Sequence, residues 1–134
     1  MPEHVDRTGS KAAIAKKISE EWNRIHELEK RKKDRERDKL PVDHLDREIR
    51  DEKEKIAGKE KVLDIVDGFG QMKGIDDEIK AEEQWLKEAR EALEKLRGAS
   101  PRDESLIDRL AGRVRDFEKN IEGKNEAKNV VVYD

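Results

Sequence analysis

Residues 42–74 read VDHLDREIRDEKEKIAGKEKVLDIVDGFGQMKG, and two features of this stretch decide the fold. Val42, Leu45, Ile49, Glu52, Ile56, Lys59, Leu63 and Val66 recur at alternating intervals of three and four, the register of helices that pack along a seam. Gly68, Gly70 and Gly74 then interrupt the pattern and demand a turn, with Gly68 suited to the left-handed conformation that ends a helix. Asp43 reads as the N-cap, and Asp46 places negative charge at the positive helix start. Gly58 lies inside the helix, where it costs about 1 kcal/mol against Ala unless a neighbour packs closely there.

The same periodicity continues on both sides. Downstream, Ile75, Ile79, Glu82, Leu86, Ala89, Leu93 and Leu96 repeat the intervals. Gly98-Ala99-Ser100-Pro101 punctuates the chain, with Gly98 ending one helix, Ser100 capping the next and Pro101 at its first position, and Asp103 adds a capping-box-like start. Ile107, Leu110, Val114, Phe117 and Ile121 form a fourth stripe that Gly123 is expected to end. Upstream, Ile14, Ile18, Trp22, Ile25 and Leu28 share one helical face behind a Ser10 cap. The expected architecture is all-α: an antiparallel four-helix bundle with helices at about 10–39, 43–67, 75–97 and 101–123, a loose arm over 1–9 and an extended tail over 124–134.

In an up-down-up-down arrangement the second helix folds onto the third, pairing Val66 with Ile75 and Ile49 with Leu93, and Trp22 reaches the layer of Trp85. Residues 29–39 carry no apolar side chain. The end built from Leu45, Ile49, Leu93, Leu96, Ile107 and Leu110 therefore lacks a fourth wall, and a second copy of the chain is the expected cover. The polar seam positions Glu52, Lys59 and Glu82 are expected to fix register or sit at a wet edge of the core.

Composition narrows the function classes. Charged residues are 49% of the chain, hydrophobic residues 33%, and the net charge is −3, which argues against a bulk-basic nucleic-acid binder. There is no cysteine, hence no disulfide, thiolate nucleophile or Cys-based zinc site. His4, His26 and His44 stand apart, and a metal site needs three or four convergent ligands. The longest aliphatic or aromatic run, Val130-Val131-Val132-Tyr133, is far too short to span a membrane. These features predict a soluble cytoplasmic protein with no enzymatic activity, no cofactor and no small-molecule substrate.

The expected function is interaction. A scaffold, adaptor or regulator of this kind self-associates or binds a protein through helix faces or its tail. The candidate contact residues are Leu45 and Ile49 at the uncovered end, Phe69 and Met72 at the Gly-rich tip, and Val130, Val131, Val132 and Tyr133 in the tail, which favours an extended strand. The alternative is contact with nucleic acid through the basic run Lys30, Arg31, Lys32, Lys33, Arg35, Arg37 and Lys39. That run has no aromatic residue for base stacking, and Asp34, Glu36 and Asp38 weaken its field.

Overall fold

The computed structural model describes residues 5–68 and 72–133. It contains four helices: α1 (Arg7–Arg37), α2 (Asp43–Gly68), α3 (Lys73–Gly98) and α4 (Glu104–Asn129). The all-α four-helix expectation holds, while several ends move. Asp6, not Ser10, caps α1, its carboxylate accepting from the Gly9 amide at 3.0 Å. Residues 7–9 are therefore the first turn of a helix instead of a loose arm. Asp43 is the first residue of α2, and the Val42 carbonyl accepts from Leu45 and Asp46. Asp103 caps α4 by accepting from Leu106 at 3.1 Å, so Ser100 and Pro101 precede the helix. α1 stops at Arg37, and Lys39 takes a positive φ of 59° before Leu40 and Pro41.

The spatial order is α1, α2, α4, α3. α1 runs antiparallel to α2, tied by Lys11–Asp67 and Lys32–Asp46 at 2.8 and 2.7 Å. α3 runs antiparallel to α4, with Arg90–Glu118 at 3.0 Å and Lys128 on Asp76. α2 and α4 run parallel and make the most extensive helix contact of the molecule, and α2 and α3 barely touch. The expected pairing of the second helix with the third is therefore wrong. α3 instead lies along α4, with Trp85 on Phe117 and Glu82 on Lys124.

Glycine explains the exchange of neighbours. A Cβ on Gly58 would lie 2.9 Å from the Lys124 amide nitrogen and closer still to the Asn120 carbonyl oxygen. A Cβ on Gly123 would lie 2.7 Å from the Lys55 carbonyl carbon. Each helix thus presents bare backbone to the other, an approach that permits Cα–H···O contacts and that no larger residue allows. Gly123 does not end α4; the helix runs six residues past it, which removes most of the expected extended tail.

Ion pairs fix the parallel register on either side of the crossing. Arg115 grips Asp51 at 2.6 Å, Arg50 grips Asp116 at 2.5 Å, and Lys55 meets Glu122 at 3.2 Å. Arg115 holds the Asp51 carboxyl below its ordinary range, chiefly by hydrogen bonding. Burial alone would raise Glu122 and lower Lys55, but their mutual pairing outweighs it, leaving Glu122 lowered and Lys55 raised.

The apolar stripes sort into two clusters. At one end all four helices converge, with Ile14, Val62, Val66, Ile75, Ile79, Ile121 and Ala127 buried together. Toward the other end of the α1–α2 hairpin, Ile25 and Leu28 close over Leu45, Ile49 and Ile56. That second cluster corrects the expectation of an uncovered end at Leu45 and Ile49. The face of α1 just before the charged run covers them. Trp22 is 39% exposed and lies near His26, while Trp85 stacks on Phe117, so each indole has its own aromatic or imidazole neighbour.

Candidate functional site

Because α2 and α3 flank α4 without meeting along their length, α4 floors an open groove between them. Its central side chains Arg113, Phe117, Asn120 and Lys124 succeed one another at intervals of four, three and four and therefore share one face, with Asp116 at its edge. Glu54, Ala57 and Lys61 of α2 form one wall, Glu78 and Glu82 of α3 the other, around about 530 Å³. Trp85 stacks on Phe117 with ring centroids 4.2 Å apart, and the Arg113 guanidinium lies 5.6 Å from the Trp85 ring. Both rings are only partly buried, and Phe117 lines the groove with Trp85 stacked behind it.

Two buried lysines knit the helices beneath. Lys59 is 1% exposed and bridges Glu21 of α1 and Glu126 of α4, the latter at 2.6 Å. Lys124 is 4% exposed and meets Glu82 and Glu78 of α3, the latter at 3.7 Å. One carboxylate oxygen each of Glu21 and Glu82 is buried without a hydrogen-bond partner. The seam positions Lys59 and Glu82 are thus inter-helix ion pairs, and Glu52 pairs with Arg24 and Lys55. Each lysine neutralises carboxylates from neighbouring helices, which is how a charge survives burial. Among the described residues no group of three or more His, Asp or Glu side chains is placed to hold a metal ion.

The residues singled out in the sequence separate in space. Leu45 and Ile49 are buried inside the α1–α2 hairpin and offer no surface. Phe69 lies outside the described residues; Met72 packs on the four-helix cluster and caps that end. Val130 packs on the same cluster and Val131 is buried in it, whereas Val132 and Tyr133 are each 41% exposed. The end of the tail is held by its own chain. Val132 donates to the Ser10 hydroxyl at 2.8 Å, that hydroxyl donates to the Val132 carbonyl at 3.1 Å, and Val5 bridges Tyr133 in antiparallel fashion.

The basic run is partly used up by the fold. Lys32 pairs with Asp46, Arg35 donates to the Pro41 carbonyl at 2.8 Å, and Arg37 lies near Asp34 and Asp38. Among the described residues, Lys30, Arg31, Lys33 and Lys39 have no ion-pair partner. What sequence reasoning missed is the α4 face with Phe117 and Trp85. Both stripes are apolar and periodic, and the pattern does not disclose that α2 leaves this side of α4 uncovered. No family model, no curated protein and no solved structure matches the chain, so its functional reading rests on this geometry.

Proposed function

We propose that the chain is a non-enzymatic helical interaction protein, and that an amphipathic helix of a protein partner, or of a second copy, lies in the groove between α2 and α3. The observation that carries this reading is Phe117, backed by Trp85 and partly exposed in the open groove along α4. A helix laid there gains apolar burial from Phe117 and its Trp85 backing, and the walls offer both signs of charge at helical spacing, which selects partner and register.

The test compares the chain with its Phe117→Lys variant, using light scattering for self-association and affinity capture for partners. A partner or dimer that is lost in the variant, at unchanged helical circular dichroism, supports the reading. A monomer whose captured proteins ignore the substitution overturns it.

A further inference from the structure

Among the described residues, Gly112 is the one glycine deep inside a helix that packing does not explain. Gly58 and Gly123 sit where backbones touch, but a Cβ on Gly112 would meet nothing within 4 Å. A mid-helix glycine costs about 1 kcal/mol against Ala, so a bare position facing open space calls for another cause. Gly112 faces a concavity of about 500 Å³ on the side of α4 opposite the aromatic groove. Arg47 of α2 stands on one flank, Arg90 and Arg97 of α3 on the other, and Arg115 lies one turn along α4. Two of the four are already engaged, Arg115 with Asp51 and Arg90 with Glu118. Arg47 and Arg97 have neither an ion-pair nor a hydrogen-bond partner among the described residues.

We propose that this concavity binds a linear polyphosphate-type anion, one end on Arg47 and the other on Arg97, its middle passing over the bare backbone at Gly112. Four guanidiniums stand against three carboxylates, Asp108, Glu118 and the Asp51 that Arg115 grips, so the surplus positive charge lies with the unpaired arginines and favours an anion. Each guanidinium presents a planar fork that matches phosphoryl oxygens two at a time. Arg47 and Arg97 come from opposite flanks of α4, so a ligand held by both must offer anionic oxygens on two sides. A chain of phosphoryl groups does so with more charge than a single phosphate. The missing side chain at residue 112 lets such a ligand lie against the helix.

The probe is sodium tripolyphosphate, titrated into the full chain at low salt by calorimetry, with inorganic phosphate as comparator. Tripolyphosphate is expected to bind at least tenfold more tightly than phosphate and to weaken as salt screens the charges. Arg47→Gln with Arg97→Gln removes two charge-assisted contacts and is expected to weaken binding roughly a hundredfold, about tenfold for each. Gly112→Leu, a better helix former whose side chain points into the concavity, keeps the fold and is expected to lose at least tenfold. Absence of binding at millimolar tripolyphosphate overturns the proposal. So does affinity unchanged in the double variant, or affinity lost instead on replacing Lys30, Arg31 and Lys33 with Gln.

Discussion

At residues 58 and 123 a single methyl group decides whether two helices can meet. In an isolated helix Gly→Ala gains about 1 kcal/mol, but here the methyl would enter the opposing backbone, which has no rotamer to relax. Gly58→Ala and Gly123→Ala are each expected to lower stability by about 1–3 kcal/mol in urea titration, the cost of overpacking a tight contact. Gly112→Ala, with open space around it, is expected to stabilise by up to about 1 kcal/mol. Equal effects at all three sites would contradict the close crossing. Lys59 is the second residue on which much depends. Lys59→Ala strands the carboxylate of Glu21, which is 12% exposed, and is expected to cost about 3 kcal/mol. Lys59→Met combined with Glu21→Gln is expected to recover most of that loss, because the two buried charges go together.

Between elements, charge sets the response to acid. Asp51 and Glu122 both join α2 to α4, and both titrate below their ordinary range in the folded chain. As pH falls, the unfolded chain therefore takes up protons first. The contribution of these pairs is complete above the ordinary carboxylate values near 4, and it is lost as pH drops through the lower folded values. Chemical denaturation between pH 7 and pH 2 is expected to show stability falling below about pH 4–5. Asp51→Asn is expected to flatten that fall by up to about one proton. The junction of the two termini makes a separate element-scale prediction. Ser10→Ala leaves the Val132 amide without its acceptor and is expected to cost about 1–2 kcal/mol. Hydrogen exchange at Val132 reads this directly.

At the scale of the whole molecule, the row of helices has a middle and two edges. α2 and α4 each have two helical neighbours, whereas α1 leans mainly on α2, and α3 mainly on α4. Local opening follows the number of packed faces, so hydrogen exchange is expected to be slowest in α2 and α4 and faster in α3. Equal protection of α3 and α4 would point to a closed bundle instead. The same open edge leaves Phe117, backed by Trp85, available on one side of α4 and the arginine-flanked concavity on the other.

Helix number, helix type and the apolar stripe of each helix were legible from periodicity, because apolar side chains three and four positions apart must share a face whatever they pack against. Within the α1–α2 hairpin the two apolar stripes bring Ile14 and Val66 into one cluster. Periodicity is silent on which face meets which neighbour. The heptad of α2 fits α3 as well as α4 in hydrophobicity, and the choice falls to backbone proximity at Gly58 and Gly123, sixty-five positions apart in the chain. The covering of Leu45 and Ile49 by Ile25 and Leu28, the burial of Lys59 among distant carboxylates, and the exposed face of α4 all follow from that choice. The sequence by itself determined an all-α chain of four amphipathic helices, since that is a local property of spacing and turn residues. Only the tertiary structure decided their neighbours, because close approach between helices is a property of pairs, and nothing local to one helix encodes its partner.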